Sequence, residues 1–281
     1  MRGSDAALSQ SHQHFPLTGG THMATVTLPS GLRLFYRERG HGGQTVLLIH
    51  GNTASSLWWE RVMAHLPGHV RTLAPDLRGC GDSDKPAPPW SIADLAEDVY
   101  QFTQAMGVQR CFVVGHSLGG GVAMQLAVAH PDLVERLVLI NSAPAEGLVT
   151  PPERYAQLEA AVKAPELLKA ALALMMPTAP RDEFYQAVLE ESVQKSAGAL
   201  IPNGRALDGM NLVEQVGGLR VPTLILYGRQ DGLVTLDMME RTRNQIPGAQ
   251  LEVWPEVGHS APVEAPERLA KRLIEFFGIQ L

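Results

Sequence analysis

Three side chains stand in an order that can do acyl chemistry. Ser117 lies in Gly115-His116-Ser117-Leu118-Gly119, between the apolar run Phe112–Val114 and a helical spacing at Val122, Ala123, Leu126 and Ala127. A serine on so sharp a strand-to-helix turn presents its hydroxyl as a nucleophile, and the flanking glycines let strand and helix approach without a Cβ collision. Asp231 follows the apolar run Val221–Tyr227 through a glycine turn, and His259 follows Leu251–Trp254. Taken singly, each has an ordinary reading: a capping serine, a turn-forming aspartate, a loop histidine. Taken together, each just past a strand, they make a nucleophile–base–orienter relay. In that relay Ser117 attacks, His259 takes its proton and Asp231 fixes the imidazole tautomer. Glu146, Asp237 and Glu256 are the competing acids. The backbone N–H groups of Asn52 and Leu118 are the candidate donors to a developing oxyanion. His50 is expected to pack beneath the turn that shapes this oxyanion loop, and His116 to line the pocket.

The elements needed to hold these residues can be read from the hydrophobic periods. Ala24–Leu28 and Leu32–Arg37 flank Pro29-Ser30-Gly31 as a hairpin, and Thr45–Ile49 is apolar enough for a strand covered on both faces. Helical spacing follows at Trp58, Trp59, Val62, Met63 and Leu66, then strands at Val70–Ala74, 111–114 and 137–140, with Ser91 and Asp94 capping a helix that runs to Met106. The alternation predicts an α/β chain: a mostly parallel sheet with helices on both faces. It stops at Asn141. From there helices are expected at Arg154–Val162, Glu166–Met176, Arg181–Ala197 and Leu207–Val216, without a strand. That block is too long for a simple crossover. The expected division is a core of residues 23–144 and 216–281, with a helical cap at 145–215 over the C-terminal edge of the sheet.

Composition narrows the classes further. The chain of 281 residues, with 45% apolar and 19% charged residues, has the length of one large α/β domain or two small ones and enough apolar content to bury a sizeable core. A net charge of −6 without a long basic block argues against a nucleic-acid partner. Cys80 and Cys111 have no zinc or redox spacing and are expected to be free thiols in a reducing, cytoplasmic compartment. The chain has no His-x-His or His-Glu-x-x-His arrangement, so neither a metal nor a cofactor is expected. Residues 1–22 resemble an expression leader, expected to be disordered, with Met23 as the native start. No run of 18 apolar residues occurs, so no membrane insertion is expected.

In order, His50-Gly51-Asn52, Asp76-Leu-Arg-Gly-Cys-Gly-Asp-Ser-Asp84, Gly115-His-Ser-Leu-Gly119, Gly228-Arg-Gln-Asp231 and Gly258-His259 resemble the motifs of the α/β-hydrolase superfamily, the single-domain type with a helical cap. The likeness runs over about residues 24–280. It implies serine hydrolysis through Ser117, Asp231 and His259, and it leaves the substrate open. Esterases, lactonases, C–C bond hydrolases, cofactor-free haloperoxidases and dehalogenases share the pattern. The loop to Trp58 is similar to that of the dehalogenases, but Ser117 stands where those enzymes carry aspartate and Leu118 where they carry tryptophan. Leu167, Leu168, Leu172, Leu174, Met175 and Met176 form an apolar cap stripe, and Trp58, Trp59 and Phe184 are further candidates for the pocket wall. Aliphatic and thioether surface suits an uncharged ester with a short-to-medium acyl chain. The alternatives are a lactone (N-acyl homoserine lactones included), a C–C hydrolase or perhydrolase reaction, and a non-catalytic ligand receptor. The expected partner is a small molecule.

Overall fold

Strands that are apolar at every position need cover on both faces. The structure, a computed structural model that describes residues 20–281, supplies it. Eight strands form one sheet: β1 (His22–Thr27), β2 (Arg33–Arg39), β3 (Thr45–Ile49), β4 (Arg71–Pro75), β5 (Cys111–His116), β6 (Val134–Ile140), β7 (Thr223–Gly228) and β8 (Gln250–Trp254), in the order β1-β2-β4-β3-β5-β6-β7-β8. The β1–β2 and β2–β4 pairs are antiparallel, and every other pair is parallel. The fold is therefore α/β and mostly parallel, as the alternation predicts.

The period of two along each strand sorts its side chains between two cores. Leu47, Ile49, Val113, Leu137, Leu139 and Ile225 point into one layer, with α2 (Ile92–Ala105) and α3 (Leu118–Ala129) against them. Val46, Leu48, Phe112, Val114, Val138, Ile140 and Leu224 point into the other, covered by α1 (Glu60–His65) and α11 (Pro266–Phe277). Ser91 caps α2 in the expected box with Asp94. The hairpin also forms, but β1 already includes His22, and Thr21 Oγ1 donates to Glu60 Oε1 at 2.8 Å. Folded chain thus begins before Met23, while residues 1–19 of the expected leader lie outside the described residues.

Between β6 and β7 the described residues form only helices: α4 (Pro152–Val162), α5 (Pro165–Leu174), α6 (Glu183–Glu191), α7 (Leu200–Asp208) and α8 (Val213–Val216), with a π-helical turn at Ser192–Ser196. The helix expected at 207–216 is replaced by the end of α7 and the single turn α8. Pro202 and Gly204 mask α7 in the sequence. Pro202 falls in the first turn, where no intrahelical N–H bond is lost, and a Cβ at Gly204 would lie 3.2 Å from the Tyr155 hydroxyl. A further helix, α9 (Leu236–Gln245), lies between β7 and β8, and α10 (Ala261–Glu264) precedes α11. Among the described residues no helix is long and apolar enough to cross a membrane.

Candidate active site

Parallel strands deliver their following loops to one edge of a sheet, and six such loops, those after β3 to β8, converge here. The loop after β5 is the tightest. Ser117 adopts φ 54° and ψ −120°, a strained conformation for a residue with a Cβ. Its N–H donates to Ile140 O at 3.0 Å, and its carbonyl accepts from Gly120 N and Ala143 N, both at 2.9 Å. A Cβ at Gly115 would fall 2.3 Å from Gly119 O, and one at Gly119 2.4 Å from Ile49 O, so neither position admits a side chain. The Ser117 side chain is left half-buried at the start of α3.

Asp231 and His259 meet across the ends of β7 and β8. His259 Nδ1 lies 2.7 Å from Asp231 Oδ2, and the Asp231 side chain is 0% exposed. Asn141 Nδ2 donates to the same oxygen at 2.7 Å, while Leu233 N and Val234 N donate to Oδ1 at 2.7 and 3.0 Å. Burial alone would raise the Asp231 pKa. The His259 hydrogen bond and charge, the Leu233 N–H and the Asn141 amide outweigh it, and the carboxyl is held below its ordinary range. The competing acids are committed elsewhere: Glu146 and Asp237 pair with Arg241, and Glu256 pairs with Arg268.

His116 is buried behind His259, with ring centroids 5.0 Å apart, and its Nε2 donates to His259 O at 3.0 Å. Because the acceptor is a carbonyl, Nε2 must carry the proton. Burial, with the neighbouring His259 ring, lowers its pKa to about 3, so the ring is neutral. His50 is equally fixed. Leu77 N donates to its Nε2 at 2.9 Å and its Nδ1 donates to Gly51 O at 2.8 Å, with burial lowering its pKa to about 4. It thereby ties the turn after β3 to the loop after β4. Gly51 presses on Ser117, whose Cβ would stand 3.1 Å from a Cβ at Gly51, and Thr53 turns the chain at φ 57°. The next residue on each side of this contact, Asn52 and Leu118, supplies a candidate oxyanion N–H. Leu118 is the first residue of α3, whose opening N–H groups have no intrahelical acceptor.

The Asp76 loop staples this edge from below. Ser56 N and Asp82 N donate to its carboxylate at 2.6 and 2.8 Å, and a Cβ at Gly81 would collide with it at 1.9 Å. Burial raises the Asp76 pKa against those donors.

Of the residues expected in the pocket, Trp58, Leu172 and Met176 share one buried layer with Ala54, Leu168, Tyr185 and Val188. Trp58 stacks on His116 at 6.0 Å and donates from Nε1 to Ser192 Oγ. His116 and Trp58 therefore back the His259 loop as buried packing. Met175 is half-buried and outside that layer. The apolar stripe needs correction, because Leu167 and Leu174 are 54% and 73% exposed on the opposite side of α5. A run apolar on every side does not say which side faces inward. Trp59 is no pocket residue either, since it lies in the α1–α11 core, whereas Phe184 packs against the layer of Trp58 and Leu172 with the Arg61 guanidinium over its ring.

Three residues here have no mark in the sequence reading. Asn141 orients Asp231. Glu264 accepts from Ser260 N at 2.9 Å and from Thr178 N and Oγ1 at 3.0 and 2.9 Å, which joins the His259 loop to the end of α5. Asn203 reaches Asn52 from α7. An asparagine ending a strand, where a positive φ follows, was the one available signal, and Asn141 has φ 40°. Among the described residues no three His, Cys, Asp or Glu side chains group as metal ligands.

Comparison with known proteins agrees with this architecture. A 2-hydroxymuconate semialdehyde hydrolase of Pseudomonas putida is 32% identical over 265 residues, covering 89% of this chain and 92% of that protein. The meta-cleavage product hydrolase of Pseudomonas fluorescens IP01 superposes with a TM-score of 0.77 at 27% identity, over 91% of this chain and 97% of that one. An esterase of Exiguobacterium antarcticum shares the fold, with a TM-score of 0.81 at 24% identity over 90% and 98% of the two chains. The model of the alpha/beta hydrolase family matches residues 46–272, and the chain belongs to that family.

Proposed function

We propose that this protein is a serine hydrolase of uncharged carboxylic esters with short-to-medium acyl chains. The observation that carries the reading is the buried Asp231–His259 pair on the same sheet edge as the strained Ser117. Asp231 Oδ2 accepts from Nδ1, which leaves Nε2 unprotonated and able to take the Ser117 proton as Oγ attacks the carbonyl carbon. The oxyanion is held by the N–H groups of Asn52 and Leu118. Collapse breaks the C–O bond, the leaving alcohol takes the proton from Nε2, and water then hydrolyses the acyl-enzyme by the same relay. The helical insertion acts as the cap over this edge, with its division from the core at 145–215.

The charge of the cap supports an uncharged acyl group. Its basic residues are Arg154, Lys163, Lys169, Arg181, Lys195 and Arg205. Lys169, Lys195 and Arg205 pair with Glu190, Asp82 and Asp208, Arg181 lies over Tyr185, and Arg154 and Lys163 are exposed. A substrate carboxylate buried beneath this cap would lack a partner, at a large desolvation cost. The second reading is C–C bond hydrolysis, favoured by the names of the relatives at 32% and 27% identity. Lactone hydrolysis and perhydrolysis use the same groups. Two free, buried thiols fit a cytoplasmic setting.

The test is one panel with wild type and Ser117→Ala: p-nitrophenyl butyrate and hexanoate, an N-acyl homoserine lactone, and 2-hydroxymuconate semialdehyde. The expected result is highest kcat/KM on the esters, lost in the variant. Preference for the semialdehyde would replace the ester reading by the C–C one.

A further inference from the structure

The cap meets the oxyanion loop through a line of side-chain hydrogen bonds in which every donor and acceptor is determined. Trp90 Nε1 can only donate, and it donates to Asn203 Oδ1 at 2.8 Å. That fixes the Asn203 amide, so its Nδ2 is the group that donates to Asn52 Oδ1 at 3.0 Å. The other end of Asn52 is then Nδ2, and it donates to the Leu200 carbonyl at 3.1 Å. Asn203 is fully buried. Among the described residues, both polar ends of the Asn52 side chain are therefore held by α7.

Asn52 is where aim matters most. Its N–H belongs to a short loop between Gly51, pressed on Ser117, and Thr53 at positive φ, whose Oγ1 donates to Asn52 O at 2.6 Å. A peptide in such a turn can rotate unless its side chain is anchored, and an oxyanion donor is useful only when preorganised. Dehalogenase-like use of the Asn52 amide is also disfavoured, since that amide is already engaged.

We propose that Asn203 is a positioning residue for the oxyanion hole, with α7 of the cap setting the aim of the Asn52 N–H through the Asn52 side chain. The proposal rests on the serine-hydrolase reading above. It makes the cap part of the catalytic apparatus as well as a wall around substrate.

Asn203→Asp tests it, because the variant keeps the volume but turns an acceptor towards Asn52 Oδ1. Active sites are titrated with a p-nitrophenyl phosphonate so that rates are per competent site. The expected result is a kcat roughly 10- to 100-fold lower with KM changed less than about threefold. The preference for an ester over the matching thionoester should fall by a similar factor, since sulfur is a poor acceptor for these N–H groups. Misfolding would lower the titrated sites and leave that preference untouched. Asn52→Ala breaks the same tie from the loop and keeps the backbone N–H, so it decides the matter if Asn203→Asp does not fold. The double variant should be no worse than the more severe single one. Unchanged oxygen-over-sulfur preference in Asn52→Ala, or losses that multiply in the double variant, would overturn the proposal. Activity that survives Ser117→Ala would instead overturn the serine reading on which it stands.

Discussion

At the edge of the sheet, Ser117, Asp231 and His259 stand on loops held by backbone hydrogen bonds, close glycine contacts and buried carboxylates. In the insertion the two limbs differ from that edge and from one another. From Glu191 to Asn203, polar side chains reach down to Ser55, Trp58, Asp82, Gly81, Ala54 and Asn52. The polar ties of α4 and α5 run within the insertion instead, from Tyr155 to Asp208 and from Lys169 to Glu190, with Leu167 and Leu174 in solvent and Thr178–Glu264 just beyond α5. The sheet edge resists displacement because each donor has one acceptor. The α4–α5 limb is tied to its neighbours in the insertion and buries Leu168 and Leu172 in an apolar layer, where contact is not directional.

The sharpest way to break this comparison is at the nucleophile. Ser117→Ala should lower kcat on any ester by at least about a thousandfold, with an unchanged circular dichroism spectrum. Residual activity within tenfold of wild type would remove the sheet edge from the mechanism. Next comes the acid. Asp231→Asn should cost at least about a hundredfold more in kcat than Glu146→Gln, because Glu146 is paired with Arg241 on the surface and a mis-set tautomer is costly in itself. A reversed ranking would make Glu146 the orienter.

The edge should also be the acid-sensitive half, since the insertion contains no histidine. Burial depresses the pKa of His50 from 6.5 to about 4 and that of His116 to about 3. As pH falls below 6.5 the unfolded chain takes up these protons and the folded protein does not. Each histidine should then weaken folding about tenfold per pH unit, from 6.5 down to its folded pKa. Urea unfolding at pH 6.5, 5.5 and 4.5 checks this, and His116→Asn should flatten the slope by about one such factor. Stability that stayed level over that interval would mean these rings are not buried neutral.

The smallest effect belongs to the insertion. If the layer around Leu172 and Trp58 borders the acyl pocket, each added methylene contributes up to about 0.8 kcal/mol, or two- to fourfold in kcat/KM, until the pocket is full. Acetate, butyrate, hexanoate and octanoate esters of one alcohol measure the slope, and Leu172→Ala should alter it. A flat series in both proteins would show that the layer serves packing alone.

The same contrast explains what could be read in advance. Ser117, Asp231 and His259 were legible because each follows an apolar strand and sits beside a glycine turn, and these are local signals. So were β3 and β5 as strands covered on both faces, since each is built on an unbroken apolar run. The α7 helix was hidden by Pro202 and Gly204, and α9 by its polar composition, although Thr235 caps it. The roles of Asn141, Asn203 and Glu264 depend on partners about 90, 150 and 90 residues away in the chain, and no local pattern encodes them. The side of α5 that faces inward is likewise set by Trp58 and Val188, not by α5 itself.

The left-handed backbone at Ser117 carries an evolutionary consequence. A side chain at φ 54° costs on the order of 1–3 kcal/mol, a large share of the few kilocalories that keep a domain folded. Glycine would relieve that strain at once and leave the surrounding turn intact. Stability alone therefore favours losing the serine; on the proposed serine-hydrolase reading, selection for turnover is what retains it. In a lineage released from that demand, position 117 is where drift to glycine would first record the loss.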